Sequence, residues 1–127
     1  MKALVDTNVL LWWLDDHPRL SPFRAVIENP RNQLLFSSIS VAEISIKSSI
    51  GKLVIPNSYT QILQDSGFDE LPFNAVHGLA LANLPWHHRD PFDRMIISQA
   101  QVEKLPVLSS DHVFELYDLQ VIGSDLL

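Results

Sequence analysis

Three features of this sequence predict an α/β fold, a mainly parallel central sheet flanked by helices as an α/β/α sandwich. Short, strongly apolar runs read as buried strands. They alternate with longer stretches of helical periodicity, the pattern of strands joined by helical crossovers. No internal repeat, low-complexity run or linker divides the 127 residues, so residues 1–127 are expected to form a single domain.

Lys2 to Val5 is the first strand and stops at Asp6. Thr7 or Asn8 can cap the helix that follows, Val9 to Leu14, which is apolar almost all round. One of its faces is expected in the core and another against something else. Trp12 and Trp13 point about 100° apart on that helix. Either both are buried, or one serves a protein interface, where tryptophan is enriched. Asp15-Asp16-His17-Pro18 breaks the helix, and Ser21-Pro22 starts another that runs to about Asn29. Gln33 to Phe36 is a second strand. In the next segment Ile39, Ala42, Ile46 and Ile50 follow helical spacing, and Ser40 with Glu43 forms a capping-box pattern, so a helix is predicted, closed by Gly51.

Pro56 to Ser58 is a turn, and Tyr59 to Gln64 a short helix ended by Gly67. A brief strand is expected in Asp69 to Pro72 and a helix from Ala75 to Ala82. A helix from Pro91 to about Glu103 buries Phe92, Met95 or Ile96, and Ala100. Pro106 to Ser109 is a firm strand, Val113 to Leu116 a short helix, and Leu119 to Ile122 the last strand.

Apolar residues make up 46% of the chain and charged ones 19%, as in folded globular proteins. The net charge of -6 argues against a coat protein that grips nucleic acid through a basic face. It does not argue against an enzyme acting on nucleic acid, because bound metal ions can neutralise clustered carboxylates. With no cysteine, disulfides and thiolate zinc sites are excluded and a reducing, cytoplasmic location is expected. The apolar stretch Val9 to Trp13 is too short to span a bilayer and has no cleavage site, so a soluble, unexported protein is expected.

The stretch His87-His88-Arg89-Asp90-Pro91-Phe92-Asp93-Arg94 carries the strongest chemical signal. Asp90 before Pro91 is a helix start, and Asp93 falls in the first turn. Asp6 follows the first strand, Glu43 begins the helix after the second, and Asp111 follows the strand at Pro106. In an open parallel sheet these handovers lie along one edge, where ligands bind. Each acid could simply cap or charge a helix start. Capping, however, does not require a carboxylate at every handover. Converging ionised carboxylates need raised pKa values or a bound cation, and an all-oxygen donor set suits Mg²⁺ or Mn²⁺. The chemistry implied is metal-assisted phosphodiester hydrolysis.

Taken together, Val5-Asp6-Thr7-Asn8-Val9-Leu10-Leu11-Trp12, Ser40-Val41-Ala42-Glu43-Ile44 with Lys47 and Gly51-Lys52-Leu53, Arg89-Asp90-Pro91-Phe92-Asp93-Arg94, and Leu108-Ser109-Ser110-Asp111 resemble a PIN-domain ribonuclease. Within that family the chain looks most like the VapC toxins of type II toxin–antitoxin pairs. The resemblance covers essentially the whole chain. It implies a parallel-sheet α/β/α fold and Asp6, Glu43, Asp93 and Asp111 as the catalytic, metal-binding acids. Asp6 and Asp93 would hold Mg²⁺ or Mn²⁺ directly, with Glu43 and Asp111 positioning ions or the attacking water. Asp90 would be a fifth acid nearby, and Ser109 stands where the family often has threonine.

Thr7, Asn8 and Lys47 are further candidates for supporting the acids or meeting substrate. Arg89 and Arg94 could hold RNA phosphate or pair with a neighbouring acid, and Lys47, one turn after Glu43, could form an intrahelical ion pair. His87 and His88 read as surface or substrate contacts more readily than as metal ligands. The resemblance also implies an RNA substrate, a homodimer, and a small VapB-like antitoxin with which it assembles into a larger complex. Leu11, Trp12 and Trp13 are candidates for the antitoxin groove.

Other functions compete. A housekeeping RNA-processing nuclease would use the same residues. A non-catalytic PIN-like RNA- or protein-binding module would be expected to show gaps in the acidic set, and none is seen. An aspartyl-phosphate phosphatase with Asp6 as nucleophile usually places another acid two residues on, where this chain has Asn8.

Overall fold

The first strand, β1 (Lys2–Val5), is the centre of a five-stranded sheet with β2 (Gln33–Ser37), β3 (Asp69–Leu71), β4 (Val107–Leu108) and β5 (Val121–Ile122). The order is β3-β2-β1-β4-β5 and every pairing is parallel. The computed structural model describes residues 1–123. Six α-helices flank the sheet: α1 (Thr7–Asp15), α2 (Arg24–Glu28), α3 (Ser38–Ser49), α4 (Tyr59–Asp65), α5 (Ala75–Ala80) and α6 (Pro91–Glu103).

Strand alternation divides the core into two layers, because successive side chains leave opposite faces of the sheet. Ala3, Val5, Leu34, Phe36 and Leu108 point to the side where Val9, Leu10, Ile44 and Leu63 pack. Leu4, Leu35 and Val107 point to the other, against Ile96, Ile97, Ala100 and Phe114. Both faces of β1, β2 and β4 are therefore dry, which is why these strands read as continuous apolar runs rather than alternating ones. Each fully buried Leu, Ile or Phe contributes roughly 1.5–3 kcal/mol from leaving water.

Register decides what happens at the sheet's edge. Val5 pairs with Phe36 on one side and with Leu108 on the other. The next residues, Asp6, Ser37 and Ser109, thus leave the sheet side by side. Strand order reverses about β1, the position at which open α/β sheets bind ligands.

Several helix starts differ from the sequence reading, each for a local reason. Asp6, not Thr7 or Asn8, occupies the position before α1, yet its side chain makes no capping bond. The segment from Pro18 to Phe23 is a 3₁₀ turn started by His17, whose Nδ1 accepts from the Arg19 amide. Only after it does α2 begin, at Arg24 rather than at Ser21-Pro22, because those two residues already lie inside the 3₁₀ turn, which runs on until the Arg24 amide donates to the Ser21 carbonyl. The helix α3 starts three residues before the expected capping box. Ser37 caps it by accepting from the Ile39 amide at 2.9 Å, and Ser40 is buried within its first turn. Leu81–Asn83 tightens into a 3₁₀ turn instead of extending α5, and the last strand is Val121–Ile122, shorter than Leu119 to Ile122. Gly51 does close the α3 turn, at a φ of +78° that glycine adopts without strain. Among the described residues no helix is long and apolar enough to cross a membrane.

Candidate active site

The cluster is built outward from Asp6, which β1 delivers to the edge of the sheet and which is only 3% exposed. Asp6 does not cap α1, and its carboxylate meets the Thr7 amide and a second partner instead. Ser109 Oγ, on the neighbouring β4 exit, donates to Asp6 Oδ2 at 2.8 Å. The same hydroxyl accepts from the Asp111 amide at 3.0 Å, so Ser109 fixes Asp6 and the turn bearing Asp111 together. Asp111 in turn accepts from the Val113 amide at 3.0 Å and starts the 3₁₀ turn His112–Leu116. Thr7 and Ser40 share a buried hydrogen bond of 2.8 Å that ties the start of α1 to α3. Asn8, next to it, is exposed.

Glu43 enters from the second turn of α3. It is buried, and Lys47 Nζ, one turn on, donates to its Oε2 at 2.6 Å, the intrahelical ion pair that the spacing suggests. The other oxygen, Oε1, is buried with no hydrogen-bond partner among the described residues. A desolvated, unpaired carboxylate oxygen is costly unless something positive meets it.

The start of α6 separates two acids that look alike in sequence. Asp90 Oδ1 accepts from the Asp93 amide at 3.1 Å and caps the helix, with Pro91 at its first position. Asp90 is itself exposed, whereas Asp93 is half-buried and turned toward the other acids.

The electrostatics follow from this crowding. Burial above all, then Asp111 and Glu43, push the Asp6 carboxyl up to about 7, although Ser109 opposes the shift. Burial likewise leads for Asp93, followed by the charges of Asp90, Asp6, Glu43 and Asp111, and carries it to about 8. Lys47 is held above its ordinary range mainly by Glu43, with weaker help from Asp90 and Asp93. One lysine thus faces a set of acids that repel one another. Among the described residues no three acid or histidine side chains already stand at metal-ligating geometry. The donor chemistry still fits a hard divalent cation: all the donors are oxygens, Glu43 Oε1 lacks a partner, and the raised pKa values of Asp6 and Asp93 are of the kind a cation would reverse.

Three residues around Asp93 do work that sequence reasoning did not assign. Arg94 is not a phosphate contact: it is buried, and Nη1 donates to the Pro85 carbonyl at 2.7 Å and to Tyr117 Oη at 3.1 Å, while Nη2 donates to the Leu84 carbonyl at 3.1 Å. Trp86 covers the guanidinium, 3.8 Å from the ring centroid. Arg94 therefore pins the connector ahead of α6. His88 Nδ1 lies 2.8 Å from Tyr117 Oη, and its Nε2 lies 3.4 Å from Asp93 Oδ2. Burial lowers the pKa of His88. His87 is exposed and packs edge-on against the Tyr117 ring. Tyr117 lies 23 residues from Arg94, and no local pattern links them.

The adjacent tryptophans diverge as their spacing requires. Trp12 packs beside His17 and Phe23, and Trp13 meets Phe68 edge-on. Leu11, Trp12 and Trp13 are all only partly buried, so the face of α1 is shared between core and surface.

The PIN domain family model matches residues 3–119, a span that holds every acid of this cluster. This chain belongs to the PIN-domain family. No curated protein matches it in sequence. The PIN fold is shared with solved toxin–antitoxin structures at low identity. VapBC2 from Rickettsia felis, bound to a promoter DNA fragment, is 19% identical with a TM-score of 0.72, over 97% of this chain and 98% of that one. DNA-bound VapBC from Salmonella typhimurium is 18% identical with a TM-score of 0.71 over the same shares. VapBC-1 from nontypeable Haemophilus influenzae is 20% identical with a TM-score of 0.69, again over 97% and 98%. PIN domains are in general nucleases, and the acids of this PIN domain stand where its parallel sheet would present a ligand.

Proposed function

We propose that this PIN domain is a divalent-metal-dependent endoribonuclease and the toxin of a VapBC-type toxin–antitoxin pair. The nuclease reading rests on one observation: Asp6, Glu43, Asp93 and Asp111 crowd the edge where strand order reverses, and their mutual repulsion helps push Asp6 and Asp93 up. In this reading Asp6 and Asp93 hold Mg²⁺ or Mn²⁺, and Glu43 and Asp111 complete the donor set. Such an ion supplies Lewis-acid polarisation of a phosphoryl oxygen and acidifies water. The protein's own residues prepare the place. Ser109 keeps Asp6 and Asp111 in register, Lys47 steadies one oxygen of Glu43, and Asp90 fixes the turn that carries Asp93. With a net charge of -6, RNA is held by few cations, the exposed Arg89 among them, rather than by a basic face.

The test is cleavage of structured and unstructured RNAs by purified protein with Mg²⁺ or Mn²⁺, beside Asp6→Asn and Asp93→Asn. Wild-type cleavage that both substitutions and a chelator abolish is expected. Equal cleavage by the folded variants, or cleavage that survives chelation, overturns the mechanism.

The toxin reading draws on the VapBC complexes among the structural neighbours. It makes the partner a small VapB-like antitoxin seated near α1, with Leu11, Trp12 and Trp13 in contact, on a toxin homodimer that joins a larger complex. Expression of the chain alone should arrest growth, Asp6→Asn should be harmless, and a co-encoded small DNA-binding partner should restore growth. Growth unaffected by the wild-type chain would favour a housekeeping role in RNA processing.

A further inference from the structure

We propose that His88 is a positioning residue for Asp93, with Tyr117 fixing the imidazole so that an Nε2–H is delivered to the Asp93 carboxylate. What Asp93 does depends on the nuclease reading; how His88 is protonated does not.

The direction of the first hydrogen bond is fixed by a donor that has no choice, and we assign the second from it. Arg94 Nη1 can only donate, and it donates to Tyr117 Oη at 3.1 Å. The phenol oxygen is therefore already an acceptor, and its single O–H is left to donate. Its partner is His88 Nδ1, 2.8 Å away. In the neutral ring an Nδ1 that accepts leaves the proton on Nε2. That nitrogen is buried and has no hydrogen-bond partner among the described residues, and Asp93 Oδ2 lies 3.4 Å from it. A buried N–H without an acceptor is costly, so a small rotation of either side chain that closes this gap is favoured.

The relay does two things for the site. An N–H aimed at Asp93 favours its ionised form, the one a cation needs, against the burial and repulsion that disfavour it. It also restricts rotation of the carboxylate, as hydrogen-bonded supports of metal-binding carboxylates do. Arg94 anchors the far end through the Leu84 and Pro85 carbonyls, so the relay is tied to main chain rather than to solvent. His87, its exposed neighbour, meets the ring of Tyr117, which Tyr117→Phe keeps, and serves as an internal control.

Two measurements test this. Long-range ¹H–¹⁵N spectra of the metal-free protein at alkaline pH, where the ring is neutral, should show His88 as the Nε2–H tautomer. In Tyr117→Phe, which removes the donor to Nδ1, that preference should be lost while His87 is unchanged. A wild-type ring protonated on Nδ1, or a tautomer indifferent to Tyr117→Phe, overturns the proposal. Titration with Mn²⁺ alone should show binding weakened about 10–100-fold in His88→Ala. Most of that affinity should return in His88→Gln, which keeps an N–H at similar reach, and circular dichroism confirms that each variant is folded. Wild-type Mn²⁺ affinity in a folded His88→Ala overturns the proposal as well. If the wild-type protein binds no Mn²⁺ and cuts no RNA, the nuclease reading falls, while the tautomer still decides what His88 does.

Discussion

Ser109 shows how much a single hydroxyl can hold. It donates to a carboxylate that is 3% exposed and accepts from the amide of another acid's residue, so its removal would affect both. Ser109→Ala strips Asp6 of its only opposing side-chain hydrogen bond and orphans the Asp111 amide. The expected cost is about 1–3 kcal/mol. That corresponds to a fall of roughly 5–10 °C in thermal unfolding. Asp6 should also become harder to ionise, and Mn²⁺ binding should weaken. Ser109→Thr keeps the hydroxyl and should preserve both. Differential scanning calorimetry and a Mn²⁺ titration on the two variants check this, and an alanine variant with unchanged stability and affinity would refute it. Burial separates Arg94 from Arg89. Arg94→Ala leaves the Leu84 and Pro85 carbonyls short of a donor and uncovers Trp86, so its loss should appear in stability, whereas loss of the exposed Arg89 should appear in RNA affinity.

Among the elements, α6 and the β4–β5 pair set the geometry of the site. Asp90→Ala removes the α6 cap and should cost about 1 kcal/mol, while Asp90→Asn, which still accepts from the Asp93 amide, should stay close to wild type. Gly123 is the tighter constraint. A Cβ placed there would stand 1.6 Å from the Ser109 carbonyl oxygen, closer than any packing allows, so the end of β4 would have to move. Gly123→Ala should therefore cost about 1–3 kcal/mol or more and loosen the Ser109–Asp6 contact. Thermal unfolding and Mn²⁺ affinity should fall together. These elements also show what a sequence can reveal. The alternation of apolar runs with helical periods marked β1, β2 and β4 and most helices, because strands buried on both faces leave an unmistakable pattern, whereas the exposed Asp69–Leu71 offered only a short run between turns. The capping of α6 by Asp90 was legible because cap, proline and first turn are neighbours in sequence. The start of α3 was not: Ser37, Ser38 and Ser40 are all competent caps, and only the length of β2 decides among them. The acids could be nominated from their handover positions. The Arg94–Tyr117–His88 relay could not, because it joins residues through tertiary packing with no periodicity to announce it.

For the whole molecule, the acids at one edge of the sheet make stability depend on pH. Asp6 titrates near 7 and Asp93 near 8, against an ordinary 3.8 in the unfolded chain. Between those limits the folded protein holds more protons than the unfolded one, so stability falls as pH rises. Their contribution is fully present below pH 3.8 and lost by the time pH has risen through about 8. In a chelator the melting temperature should thus decline from mildly acidic to mildly alkaline pH. Asp6→Asn with Asp93→Asn should flatten the decline, since neither amide titrates. A divalent ion should act in the opposite sense, because it binds the ionised acids and competes with their protons. At about 100 times its dissociation constant, such an ion adds roughly 2.7 kcal/mol to the folded state. That is on the order of 10 °C for a chain of this size. Mn²⁺ should therefore raise the melting temperature strongly at alkaline pH, weakly at acidic pH, and hardly at all in the double variant. A wild-type melting temperature that is flat with pH in chelator, or a Mn²⁺ gain that is the same at both ends of the range, would show that these carboxylates do not share one field.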